Sequence, residues 1–271
     1  ILILGLFYWC LDKETGRYVG LNAVMGCVWH PLIKNIVLRR RPYFDSEGID
    51  LLRPLDPNAG LYDIQAQGYS FPSGHSTNGV SVYGSLARRL KKRWMDILAA
   101  VLPLLIGFSR VTVGAHYPTD VLAGWGLGLV IIFLVPYLRE KTGDLRIFYG
   151  ILIASGLPGM FFAGTDDYYM GMGLLFGFAL AEMFERRYVN FRKAESLPEG
   201  MIRVLGGGIL YAGLDLLMKT VLDPAIMPWP GPAERVFHMV RYCLIIFSLL
   251  GLYPLCFEKL TKRNPGNREA K

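Results

Sequence analysis

Long apolar stretches recur along the whole chain, and most of the charged residues are gathered in the short segments between them. Each stretch is roughly twenty residues, about what a helix needs to cross ~30 Å of hydrocarbon. The pattern predicts spans over residues 18–38, 74–87, 95–113, 120–138, 147–163, 168–184, 201–222 and 236–257. The second of these is the most polar. Nowhere does the chain show the period-two alternation of a membrane barrel, and in lipid only helices or closed barrels satisfy their own backbone. The fold class expected is all-α, a polytopic transmembrane helical bundle. Residues 1–10 are already apolar, and Leu11-Asp12-Lys13 offers no small-residue cleavage pattern. The expectation is a numbering that begins inside a helix, with an N-terminal part missing, rather than a cleaved signal peptide.

Composition agrees with that pattern: 52% of the residues are hydrophobic, far from a soluble enzyme of 271 residues. The formal net charge of +7 points toward nucleic acid only until the basic residues are placed. They cluster in alternate loops, at Lys13 and Arg17, Arg88–Arg93, Arg139–Arg146, Arg186–Lys193 and the tail with Lys259, Lys262 and Arg263. The intervening loops, with Asp166-Asp167 and the Pro-rich residues 223–232, are poor in Lys and Arg. Such asymmetry reads as topology, with the basic loops cytoplasmic, and no nucleic-acid partner is expected. Arg39, Arg40, Arg41 and Arg53 then lie on the opposite, extracytoplasmic side. Cations placed against the rule make sense if they serve an anionic ligand. The four cysteines sit in or beside apolar segments and show neither metal-ligand spacing nor a disulfide framework. Residues 43–71 form the one long connection, expected to be an ordered cap.

The chemistry-bearing residues fall in three pieces. Lys34 is followed seven positions on by Arg41-Pro42; Pro72-Ser73-Gly74-His75 comes next; Ser109-Arg110 leads through His116 to Asp120. Phosphoryl transfer needs fixed cations and N–H donors around the equatorial oxygens. Lys34, Arg41 and Arg110 supply cations, two of them able to grip phosphate oxygens bidentately. Ser73 and Gly74 stand where a loop turns into a helix near His75, a place where free N–H groups favour an anion. His116 and Asp120 are four apart, so a carboxylate opening the next helix can hold one imidazole nitrogen and free the other to attack phosphorus. His75 would protonate the leaving oxygen. A metal is not expected, since the cations would repel one and no further carboxylate joins the set.

Together these pieces resemble the three-part signature of the type 2 phosphatidic acid phosphatase superfamily, over about residues 18–138. The resemblance implies phosphate binding by Lys34, Arg41, Ser73, Gly74 and Arg110. It implies His116 as nucleophile, His75 as general acid and Asp120 as the orienting carboxylate, with no metal or other cofactor. It further implies a hydrolase active at the extracytoplasmic (periplasmic, extracellular or lumenal) membrane face, its substrate a lipid phosphate held among membrane lipids. A soluble phosphate ester such as a sugar phosphate, or a non-catalytic lipid-phosphate transporter, are the alternatives. Residues 1–143 would form the phosphatase core. Residues 144–271 would form an additional transmembrane region of unassigned role, a homodimer surface among the readings. Beyond Asp144 no chemistry-bearing cluster is expected. Asp215 and Lys219 are placed to pair along one helix, Glu182, Arg203, Arg241 and His238 to serve inter-helix contacts.

Overall fold

A computed structural model of the chain describes residues 2–45, 48–52, 54, 59–221 and 231–257. Arg53, Pro57, most of residues 223–232 and the tail with Lys259, Lys262 and Arg263 lie outside the described residues. Among those described, every regular element is helical: α1 (Leu2–Leu6), α2 (Lys13–Val37), α3 (Pro42–Asp45), α4 (Ile64–Gln67), α5 (Gly74–Leu90), α6 (Arg93–Thr112), α7 (Pro118–Thr142), α8 (Leu145–Gly156), α9 (Asp166–Phe184), α10 (Leu197–Val221) and α11 (Gly231–Phe247).

Among the described residues, five stretches are long and apolar enough to cross a membrane: Lys13–Asp45, Arg93–Thr112, Pro118–Thr142, Leu197–Thr220 and Ala233–Cys256, with Leu145–Phe161 a shorter apolar helix. The chain is a multi-pass integral membrane protein. Residues 74–87 and 168–184 are helical as expected, yet neither α5 nor α9 is among the five. For α5 the physical reason is its covering. Ser76, Thr77, Ser81 and Ser85 are fully buried, and the helix packs along α6 and α7. Small polar side chains suit a helix covered by protein better than one covered by lipid.

Contacts divide the chain into two compact units, Tyr18–Leu175 and Ile1–Arg17 with Phe176–Lys271. Helix α8 and the first half of α9 therefore pack in the unit that carries the three motif pieces, past the boundary at 143/144 expected from the sequence. In that unit Asp144 caps α8 by accepting from the N–H groups of Arg146 and Ile147 (2.6 and 3.3 Å), a cap that satisfies first-turn donors. A side chain on Gly171 would collide with the carbonyl of Cys27, so that glycine does serve close helix packing.

The other unit builds its core from Tyr8, Trp9, Cys10, Phe191, Ile245, Leu249 and Phe257. Arg203, 2% exposed, donates to the carbonyls of Trp9 and Arg192 (2.8 Å each), pairs with Glu199 and lies 4.3 Å from the Phe257 ring centroid. Lys219 pairs with Asp215 at 2.8 Å as the spacing indicated, and Arg241 joins the same carboxylate. Gly207 faces the Trp9 ring and Gly177 the backbone of Cys243.

Candidate active site

The site begins on α2, whose last turns carry His30 and Lys34 one above the other. After Val37 the chain leaves the helix and brings in Arg41, which is 2% exposed. Its Nε donates to the carbonyls of Gln67 (3.1 Å) and Gly68 (3.0 Å), Nη2 to Gln67 (2.7 Å) and Nη1 to Ala115 (3.0 Å). Carbonyls from two separate loops thus aim one guanidinium. Gly68 has φ of +68°, and a side chain there would lie 3.6–3.9 Å from Asp167 Oδ2, Lys34 Nζ and Arg41 Nη2. Those are ordinary contact distances, so it is the positive φ that calls for glycine here.

Lys34 is buried and its Nζ stands 3.2 Å from Asp167 Oδ2. Thr165 Oγ1 donates to the other carboxylate oxygen of Asp167 at 2.5 Å. This corrects the expectation that nothing beyond Asp144 bears on the chemistry. From the sequence Asp166-Asp167 reads only as part of an outer loop poor in Lys and Arg, and no local signal marks a residue that is paired across more than a hundred positions.

Ser73 is the N-cap of α5, its Oγ accepting from the N–H of Ser76 (3.4 Å) and from Ser76 Oγ (2.9 Å). The Ser73 N–H donates to the carbonyl of Asp120 (2.9 Å), which ties the start of α5 to the start of α7. Gly74 is the first residue of α5, where the expected span 74–87 begins. His75 follows it and is exposed; the cations that bear on its ring are Arg110, Lys34 and Arg41. Arg110, half-buried at the end of α6, donates from Nε to Ser109 Oγ at 3.3 Å.

Pro118 opens α7, where its missing N–H costs nothing. Asp120 at the third position accepts the Tyr117 N–H at 2.9 Å, completing a capping box. The same oxygen, Oδ2, accepts from Ser70 Oγ and stands 3.4 Å from His116 Nδ1. Oδ1 accepts from Arg39 Nη1 at 2.9 Å. The imidazole of His116 is 4% exposed, and its Nε2 lies 3.5 Å from Arg41 Nη1. Burial pushes His116 down to about 4, an effect that the Asp120 contact opposes and the Arg41 and Lys34 charges reinforce. At neutral pH the imidazole is therefore uncharged, one nitrogen toward a carboxylate and the other toward a cation.

Lys34, Arg41, Ser73, Gly74, His116 and Asp120 come together as the spacing implied. Of the three arginines at 39–41, only Arg41 enters the cluster as a cation free of carboxylates among the described residues. Arg39 instead serves Asp120 and lies 4.0 Å over the Tyr117 ring; Arg40 pairs with Asp45 at 3.6 Å. Sequence reasoning missed His30, Ser70 and Asp167. His30 could have been flagged by its spacing of four from Lys34, a shared helix face.

A model of the PAP2 superfamily matches residues 15–144, and one of the PAP2 superfamily phosphatase transmembrane extension matches residues 169–265. The chain belongs to the PAP2 superfamily. Similar proteins include phosphatidylglycerophosphatase B of Bacillus subtilis, 41% identical over 92 residues, 31% of this chain and 45% of that protein. The undecaprenyl-diphosphatase of Sulfolobus acidocaldarius is 31% identical over 49% of this chain and 59% of its own length. The lipid A 1-phosphatase of Rhizobium etli is 32% identical over 48% and 53%. The matches thus span about half the length of these curated relatives. No solved structure matches the chain. The PAP2 match covers all three motif pieces, and the extension match opens just after Asp167.

Proposed function

We propose that this PAP2-superfamily chain is a metal-independent phosphatase that removes phosphate from a lipid phosphate through a phosphohistidine on His116. One observation carries the reading: His116 directs Nδ1 to a carboxylate that is itself held by Ser70, Arg39 and the Tyr117 N–H, while Nε2 faces the Arg41 guanidinium. An oriented, neutral imidazole beside a fixed cation is what in-line attack on phosphorus requires.

In the first step Nε2 attacks phosphorus and the bond to the leaving oxygen breaks. Lys34, Arg41, Arg110, the Ser73 hydroxyl and the Gly74 N–H at the start of α5 take the equatorial charge. Protonated His75 gives its proton to the departing alkoxide, or to the departing phosphate if the substrate is a diphosphate. Asp120 stabilises the positive charge that appears on His116. In the second step neutral His75 accepts a proton from water, the hydroxide attacks phosphorus, and the P–N bond electrons return to Nε2. Phosphate leaves and both imidazoles are restored. The similarity to a phosphatidylglycerophosphatase, an undecaprenyl-diphosphatase and a lipid A 1-phosphatase supports a lipid carrier of the phosphate. The loop charge asymmetry supports an extracytoplasmic site.

The test is phosphate release by purified protein in detergent, with EDTA present, from phosphatidate, phosphatidylglycerophosphate, a sphingoid-base phosphate, a polyprenyl diphosphate and glucose 6-phosphate. Release from one or more lipids at rates well above the sugar phosphate supports the reading. A preference for glucose 6-phosphate, or no release from any arm, overturns it.

A further inference from the structure

The three motif pieces leave one polar group beside the cluster without a task. His30 lies on α2 four residues before Lys34, is 8% exposed, and its Nδ1 is buried with no hydrogen-bond partner. Its ring packs on Gly74: a Cβ added there would meet the ring's Cε1 and Nε2 at 2.7 Å. The charged and titratable groups that bear on it are Lys34, Asp167, His75 and His116. A buried imidazole has one N–H and one lone pair when neutral and two N–H groups when charged. Buried polar groups are almost always satisfied, so an orphan beside an anion cradle marks a place where a ligand supplies the partner.

We infer that His30 is a further phosphate-binding residue, a third imidazole at the start of α5 that donates a hydrogen bond to an oxygen of the bound phosphoryl group. The inference rests on the reading of this cluster as a phosphate site, and it adds a ligand that the three motif pieces do not contain. Gly74 has a second reason to be glycine on this view, because any side chain there would displace the ring. Asp167 and Lys34 stand on the same side, so the ring works within a charged wall rather than an apolar one.

Two substitutions separate hydrogen bonding from packing. His30→Phe keeps the flat ring against Gly74 and removes both nitrogens; His30→Gln keeps a donor and loses the ring. Orthovanadate inhibition of phosphate release, and displacement of vanadate by inorganic phosphate, are measured on the full chain in detergent. His30→Phe should raise the vanadate Ki by about 10-fold or more, as expected for a lost bond to a charged acceptor, and His30→Gln by under about 3-fold. A Phe variant equal to the unsubstituted protein, or Gln and Phe variants equally impaired, would overturn the role. If the unsubstituted protein neither releases phosphate nor binds vanadate, the site reading itself fails, a separate result. Where the variants do not fold, 15N-histidine labelling of the unsubstituted protein decides: of its four histidines, His30, His75 and His116 should shift with vanadate. Shifts in two alone would overturn the inference.

Discussion

Two clusters of charge, one in each compact unit and each with a buried centre, are built from the same residue types to opposite ends. In the unit containing the termini, Lys13, Arg17 and Arg186 meet Glu14, Glu182 and Glu185. Lys13 reaches Glu185 at 2.9 Å, Arg17 pairs with Glu14 and Glu185, and Arg186 binds Glu182 at 2.8 Å and Glu14 at 3.2 Å. Among the described residues, three cations face three carboxylates and the formal charges cancel. Around His116, Lys34, Arg39, Arg41 and Arg110 meet Asp120 and Asp167 alone among the described residues. Four cations face two carboxylates; of the two left over, Arg41 is held by carbonyl oxygens and Arg110 by the Ser109 hydroxyl, neutral groups that orient charge without cancelling it. A balanced cluster stabilises a fold; an unbalanced, preorganised one waits for an anion.

The largest effect that would test this contrast is at the nucleophile. His116→Ala should lower the rate of phosphate release on the order of 10³-fold or more, because the covalent route is lost, while vanadate still binds within a few-fold. Near-normal turnover in that variant would break the mechanism. Next comes the balanced cluster: Glu185→Gln leaves Lys13 and Arg17 short of a buried partner and should cost about 3–5 kcal/mol of stability. Its signature is a lowered detergent unfolding midpoint with the activity of the remaining folded protein unchanged. Asp167→Asn should act mainly on catalysis, raising KM about 10-fold through a poorly held Lys34, with a smaller fall in the unfolding midpoint than Glu185→Gln because it leaves one cation rather than two short of a carboxylate. Equal thermal losses in the two variants would erase the distinction between the clusters.

The smallest effect is a pH dependence. His116 sits at about 4 in the folded protein against an ordinary 6.5, so between those values the unfolded chain binds the extra proton. Stability should therefore decline as pH is lowered from about 6.5 toward 4 and level off below. His116→Gln should remove that portion of the decline, read from unfolding midpoints across the pH series.

Much of this was legible beforehand because it is local. The Lys34–Arg41 pair lies at one helix end, Ser73-Gly74 caps a helix, and the Pro118–Asp120 turn returns a carboxylate toward His116. Each is set by spacing, by proline and by capping within a few residues. The helical stretches were equally plain, since lipid demands runs of apolar side chains. What local pattern could not show was why α5 is so polar, its Ser and Thr residues being buried against other helices, and that Arg39 holds Asp120.

The sequence by itself determined a helical membrane protein carrying a three-part phosphate signature, because hydrophobic length and motif spacing are properties of short segments. Only the tertiary structure decided that Asp167 meets Lys34, that Ser70 and Arg39 fix Asp120, and that His30 lies buried on Gly74. Those pairings join residues whose local surroundings carry no trace of one another. They exist because helix packing buries polar groups that must then find partners at a distance.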